Sequence, residues 1–224
     1  MKISLQAAGT SVVGIGVFLL VVFWPAGTFD YWQGWALIAV FAAATLIPSI
    51  YLAFTNPAAL QRRMQAGPAA ETRPLQKVVI TLAFLSIGAM IVVSALDFRF
   101  GWSSVPAVVS VVGDVLVGVG LIIAMVTTIQ NGYAAANINV ESDQEVVSTG
   151  VYSVVRHPMY LGNVVLMLGI PPALGSYWGL LFVIPGLAVL ATRILDEEKV
   201  LTLELNGYRD YIERVHYRLV PYVW

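Results

Sequence analysis

The run "PMYLGNVVLMLGIPPALGSYWGLLFVIPGLAVLAT", residues 158–192, contains no Asp, Glu, Lys or Arg. A membrane-crossing helix takes roughly 20 apolar residues, so the run is long for one crossing and short for two. Its middle decides between them. There the chain reads "GIPPALGSYWG", residues 169–179, with Pro171 and Pro172 adjacent and Gly175 and Gly179 close behind. Tandem prolines remove two backbone donors and break a helix. The run is therefore expected to fold as two short helices in a hairpin, returning the chain to the membrane face it left.

The rest of the chain supports a membrane setting. Hydrophobic residues make up 58% and charged residues 11% of the 224 positions, whereas soluble domains carry about 25% charged residues. Further charge-free runs cover residues 3–29, 31–61, 78–96 and 115–140. Spanning helices are expected at about 9–25, 32–54, 77–97 and 105–131, the first of them a retained span and not a cleaved leader, because its apolar stretch exceeds a typical signal core. Trp24, Trp32, Trp35 and Trp102 stand at the ends of these segments, where an interfacial aromatic belt belongs. The fold class is thus all-α: a polytopic integral membrane protein with four spanning helices plus the Pro-broken hairpin.

Charge sets the orientation. With the N-terminus in the cytoplasm, four spans and a hairpin put every Lys and Arg except Arg99 on the cytoplasmic side, as the positive-inside rule requires. Reading 158–192 as a single span would instead send the basic residues from Arg193 onward to the far side. Both termini are therefore expected in the cytoplasm, in an inner or plasma membrane. A net charge of −1 gives no basic surface for nucleic acid. The absence of cysteine excludes disulfides, thiolate catalysis and cysteine-ligated metal, and no metal site is expected.

Two polar clusters flank the hairpin: "ESDQEVVSTGVYSVVRHPMY", residues 141–160, and "RILDEEKVLTLELNGYRDYIERVHYRLVP", residues 193–221. Pro158 restricts His157 to extended backbone, which aims its ring. Arg193 and Glu197 lie four apart and share a helix face, while Glu198 is rotated about 140° from Arg193. Snorkelling at the surface accounts for isolated cations such as Lys2, Arg62, Arg63 and Lys77. It does not account for paired acids at 197–198.

Arg156-His157-Pro158-Met159-Tyr160, then Glu197-Glu198, then Gly207-Tyr208-Arg209-Asp210-Tyr211 and the ending "RLVPYVW", residues 218–224, resemble the isoprenylcysteine carboxyl methyltransferase family of integral membrane enzymes. "EVVSTGVY", residues 145–152, looks like the lead-in of that family, and the likeness covers about residues 137–224. The resemblance implies S-adenosyl-L-methionine as cofactor, held at the cytosolic interface by a catalytic and cofactor-binding region over residues 132–224. Residues 1–131 would then be transmembrane helices shaping a groove for the acceptor.

The chemistry of that cofactor suggests roles. Its carboxylate calls for Arg156 and His157, and its ammonium for Glu197. Its adenine calls for aromatic cover from Tyr152, Tyr160 or Tyr208. By resemblance the segment with Gln144, Val146 and Val147 lines it too. Arg193 and Glu198 map onto the pair expected to act on the acceptor, Arg193 by orienting a carboxylate or Glu198 by taking a proton from an amine or thiol.

No dinucleotide-binding glycine signature is present. The partner expected is a lipophilic or lipid-modified acceptor, most simply a carboxylate. Alternatives are a phospholipid-amine or small-thiol methyltransferase, an NADPH-dependent sterol-type reductase with a similar Arg-His-Pro element, and a non-enzymatic transporter. Transporters usually carry ionisable residues at the midplane; here Asp114 alone is expected within a span, near its outer end.

Overall fold

The computed structural model describes residues 2–64, 71, 73–133 and 144–224, and among these every regular element is helical. Helix α1 runs Lys2–Ala26, α2 Trp32–Thr55, α3 Pro57–Met64, α4 Pro74–Phe100 and α5 Ala107–Gln130. After a 3₁₀ turn at Gly150–Ser153 come α6 (Pro158–Ala173), a second 3₁₀ turn (Trp178–Phe182), α7 (Val183–Glu204) and α8 (Tyr208–Arg214). The four long helices read from the sequence are present with ends shifted by a few residues. The exception is α1, which begins seven residues before the expected 9.

Helix α3 was not expected. Asn56 starts it by accepting the Ala59 N–H on its side-chain oxygen (3.1 Å), with Pro57 in the first helical position where no donor is needed. Its Ala59 and Leu60 are buried against Leu52.

The hairpin forms with unequal arms. Pro171 and Pro172 fall in the last turn of α6, and the chain turns where Gly175 adopts a left-handed φ of +69°. The returning arm does not stop at 192: α7 continues to Glu204, because residues 193–204 contain no Gly or Pro, and it ends before Gly207 at φ +81°. Among the described residues, four helices are long and apolar enough to cross a membrane: Trp32–Thr55, Pro74–Phe100, Ala107–Gln130 and Trp178–Glu204. The returning arm of the hairpin, with its 3₁₀ turn, is thus long enough to cross by itself. In α1 the apolar stretch with described side chains is Val13–Ala26.

Helices α5 and α6 pack glycine against glycine. Gly113 and Gly120 are two turns apart on α5, and Gly162 and Gly169 two turns apart on α6. The antiparallel pair sets Gly113 on Gly169 and Gly120 on Gly162. A Cβ at Gly113 would run into the backbone of Ala173, and one at Gly120 into the Gly162 carbonyl. Small residues that let backbones touch are the usual means of joining helices in lipid, where no hydrophobic force draws them together.

Leu37, Met90, Val117, Ile170 and Ile194 fill the space around this seam. Val17, Ile47, Ile50, Phe84, Leu85, Val112, Val115 and Ile122 point outward. An apolar exterior of this kind is what lipid solvates.

At the end away from the charged clusters, the buried Asp97 carboxylate accepts the Ser103 N–H and hydroxyl (2.6 Å each) and the Ser176 hydroxyl (2.5 Å). Tyr31 donates to the Leu174 carbonyl (2.5 Å). These bonds pin the hairpin tip to α2 and α4. Exposed Trp24, Trp32, Trp35, Trp102 and Trp178 surround that end.

Candidate active site

His157 caps α6 and Pro158 occupies its first turn. His157, expected to be extended, instead sits at φ −125°, ψ 62°, because the segment just before the helix pairs with the C-terminal tail: the Arg156 N–H donates to the Tyr217 carbonyl and the His157 N–H to the Arg218 carbonyl, both 2.9 Å. The tail in turn closes on itself. The N–H groups of Arg218, Leu219 and Val220 converge on the Trp224 carbonyl, and the Arg218 guanidinium lies 5.4 Å from the Trp224 ring centre. The "RLVPYVW" ending is thus a compact loop that holds the Arg-His-Pro element in place.

Glu198 ties these pieces together. One carboxylate oxygen accepts Arg156 Nε (2.7 Å) and meets His157 Nε2 (3.2 Å), and the other accepts Arg218 Nε (2.8 Å). Arg156 also donates to the Val215 and His216 carbonyls, 2.8 Å each. Arg156 and His157 are each only 5% exposed, so Glu198 supplies the charge that lets the guanidinium be buried.

Arg193, five residues earlier on α7, faces elsewhere. Its Nε donates to the Tyr160 hydroxyl (2.8 Å) and its Nη1 to Gln76 Oε1 on α4 (2.6 Å). Tyr160 donates its own proton to Glu197 Oε2 (2.5 Å). Arg193 and Glu197, on one helix face as their spacing requires, therefore both meet Tyr160. The wide rotation between Arg193 and Glu198 sends the latter to the tail, and the two make no ion pair with each other.

Between these networks opens a pocket of about 780 Å³ including its mouth. All nine residues read from the sequence as cofactor-binding line it: Gln144, Val146, Val147, Tyr152, Arg156, His157, Tyr160, Glu197 and Tyr208. Arg193 and Glu198 do not; each stands behind a lining residue, Arg193 behind Tyr160 and Glu198 behind Arg156 and His157.

Glu145, within the expected Gln144-to-Val147 stretch, lines the pocket as well, and Asn131, Tyr133, Leu201, Leu205 and Tyr211 do so without having been anticipated. Leu201 and Leu205 continue the face of Glu197 at steps of four, a signal that was available. Asn131 and Tyr133 follow the end of α5 with no such pattern. Arg62 of α3 donates to the Gly132 carbonyl (3.2 Å) and stacks 4.7 Å from the Tyr133 ring centre, which brings α3 to the pocket's edge.

A second small core of Tyr152, Leu205, Tyr208, Tyr211 and Val215 backs the aromatic wall, with Val146 and Val147 packed against it. Tyr211 donates to the Tyr152 carbonyl (2.8 Å), and the Tyr152 hydroxyl accepts from Asn131 (3.2 Å). Burial pushes the Tyr152 phenol up to about 12. Burial, joined by the Glu198 and Glu197 charges, raises Tyr208 further, and Tyr211 is raised by burial first. All three stay neutral at physiological pH. The Tyr208 hydroxyl, on a residue 4% exposed, has no hydrogen-bond partner among the described residues, an expensive condition unless a ligand relieves it.

Residues 108–207 match the phospholipid methyltransferase family. The whole chain superposes on a solved structure of the eukaryotic intramembrane Ras methyltransferase ICMT (isoprenylcysteine carboxyl methyltransferase), covering 99% of this chain and 97% of that one with a TM-score of 0.51. Residues 108–207 thus carry the pattern of the phospholipid methyltransferase family, and the chain as a whole is similar in fold to that membrane methyltransferase. At 17% identity the ICMT likeness speaks to fold alone. Among curated proteins, mouse Delta(14)-sterol reductase TM7SF2 is 31% identical over 84 residues, 36% of this chain. The chain spans about a fifth of that relative's length.

Proposed function

We propose that this protein transfers a methyl group from S-adenosyl-L-methionine to a lipophilic acceptor at the cytosolic membrane interface, and that the accepting group is a carboxylate like that of an isoprenylcysteine. The observation that carries this reading is the charge of the pocket. Among the described residues its lining holds two acids, Glu145 and Glu197, while its one arginine is already neutralised by Glu198. Such a lining suits a ligand with a sulfonium and an ammonium. It does not suit the three phosphates of NADPH, and this weighs against a reductase despite the partial sequence match.

The residues present fit that cofactor. Glu197 keeps one carboxylate oxygen for an ammonium, and the unpartnered Tyr208 hydroxyl can donate to a ligand acceptor. Tyr152, Tyr160 and Tyr208 offer neutral aromatic faces, and His157 holds Nδ1 free of the Glu198 contact. Bound there, S-adenosyl-L-methionine supplies an electrophilic methyl group. Arg193 and Tyr160 position what meets it.

A carboxylate acceptor needs no base, being already ionised. An amine or thiol would need one, and Glu198 is poorly placed to serve, since its two oxygens accept three donors. That favours carboxyl methylation over the amine and thiol alternatives.

The test is calorimetry of the purified protein with S-adenosylhomocysteine and, separately, NADPH, followed by tritiated-methyl transfer to prenylcysteine analogues, phospholipids and small thiols. Binding of the first ligand is expected, with Glu197→Gln weakening it by about tenfold or more, as for a hydrogen bond to a charged group. NADPH binding without S-adenosylhomocysteine binding overturns the reading. Transfer to amines but not carboxylates overturns the choice of acceptor.

A further inference from the structure

A line of polar side chains crosses from α4 to the pocket through an otherwise apolar helix interface. Arg73 donates two bonds to Asp196 (2.7 and 3.2 Å), and Gln76 Nε2 donates a third to the same carboxylate (2.5 Å). Gln76 Oε1 accepts from Arg193, Arg193 donates on to Tyr160, and Tyr160 donates to Glu197. Gln76 is fully buried, and Arg193, Asp196 and Tyr160 are each less than a tenth exposed. Polar groups at such depth are costly and mark function when they persist.

We propose that Gln76 and Asp196 are positioning residues for the methyl transfer proposed above, an assignment that rests on that reading. Their action follows from donor and acceptor polarity. An ionised Asp196 can only accept and a guanidinium can only donate. The Gln76 amide between them has one orientation: N–H₂ toward Asp196, oxygen toward Arg193. Asp196, itself held by Arg73, thus sets the amide. The amide oxygen then fixes the plane of the Arg193 guanidinium, and that guanidinium fixes the Tyr160 hydroxyl on the pocket wall. Gln76 and Asp196 touch neither cofactor nor acceptor. They act through Arg193 and Tyr160, so they bear more on how the reacting groups are aligned than on how tightly the cofactor binds. Residues 73–76 belong to the α4 terminus, so the N-terminal helices contribute to the reaction centre as well as to any acceptor groove.

A network that only glued α4 to α7 would respond to substitution in stability alone, and a polarity exchange separates the two roles. Gln76→Glu sets a second carboxylate against Asp196. Asp196→Asn removes the anion that orients the amide. Together, Gln76→Glu with Asp196→Asn restores the line from position 196 to Arg193 at unchanged net charge, with Arg73 left one acceptor, the remaining oxygen at position 196. The introduced amide at position 196 donates to the introduced carboxylate at position 76, and that carboxylate accepts from Arg193.

In the full-length protein in lipid nanodiscs, kcat for tritiated-methyl transfer to a prenylcysteine analogue is expected to fall about 30- to 100-fold in Gln76→Glu, the scale of a small misplacement of reacting groups. Asp196→Asn should fall less, about 3- to 10-fold, and the double variant should return to within about threefold of wild type. S-adenosylhomocysteine affinity should fall by a smaller factor than kcat in each single variant and recover with it in the double variant, because the lining side chains are unchanged and only their alignment shifts.

Wild-type turnover in Gln76→Glu, or a double variant no better than its worse parent, overturns the proposal. If Gln76→Glu does not accumulate, recovery of kcat from Asp196→Asn to the double variant decides in the same way. A wild-type protein that neither binds S-adenosylhomocysteine nor transfers methyl defeats the functional reading itself, a different outcome from an active wild type indifferent to Gln76.

Discussion

Along the α5–α6 seam two helices meet where side chains are missing; along the polar face of α7 the contacts are made by long, charged side chains. The seam depends on Gly113, Gly120, Gly162 and Gly169 having no Cβ, so backbone touches backbone. The α7 face depends on Arg193, Asp196, Glu197 and Glu198 reaching their separate partners within two turns. Both regions hold α6 in place, and α6 carries His157 and Tyr160 at its pocket end. The seam sets how close the helix sits, and the polar face sets where its functional groups point. The two should therefore fail differently when broken: the seam through bulk, the polar face through an uncompensated charge.

The largest effect is expected on the polar face. Glu198→Ala leaves the buried Arg156 guanidinium without its carboxylate, and loss of one partner of a buried pair costs about 3–5 kcal/mol. Unfolding monitored in detergent should show that loss, together with release of the C-terminal tail to proteolysis. If Glu198→Ala keeps wild-type stability and loses only turnover, Glu198 is a catalytic group and not the knot of the tail.

At the seam, Gly120→Leu forces a side chain into the Gly162 carbonyl, and overpacking of this kind costs about 1–3 kcal/mol. Gly88→Ala is the control, since an added Cβ there meets nothing within 4 Å. Equal stability of the two variants would mean that the helices are not in backbone contact.

The smallest effect sharpens the comparison from inside the pocket. Tyr208→Phe removes a hydroxyl with no partner among the described residues, so stability should hold or rise slightly. S-adenosylhomocysteine affinity should fall by the worth of one neutral hydrogen bond, about 0.5–1.5 kcal/mol. Unchanged affinity with unchanged stability would remove Tyr208 from the ligand contacts.

Much of this was legible in the chain because the signals are local. Charge-free runs of fixed length marked the helices, and Pro171-Pro172 placed the hairpin turn. The four-residue step from Arg193 to Glu197 put both on Tyr160's side. The Asn56-Pro57 start of α3 was legible too and went unused, because the eight-residue helix is too short to cross a membrane. The helical turn from Arg193 to Glu198 was legible from the same four-residue step, and α7 carries it on to Glu204. Charge ends the apolar segment but not the hydrogen-bonded turn.

What the sequence determined by itself is the solvent, the number of long helices and the identity of the residues around the pocket. Those follow from composition, from spacing along one helix or one turn, and from the family likeness of the Arg-His-Pro and Glu-Glu elements. Only the tertiary structure decided that Arg193 and Glu198 belong to separate networks, that Gln76 meets Asp196 across 120 positions, and that four glycines form one seam. Each of these depends on which faces of distant helices meet. That choice is made by close packing and by the cost of leaving buried polar groups unpaired, and neither leaves a mark within a single stretch of chain.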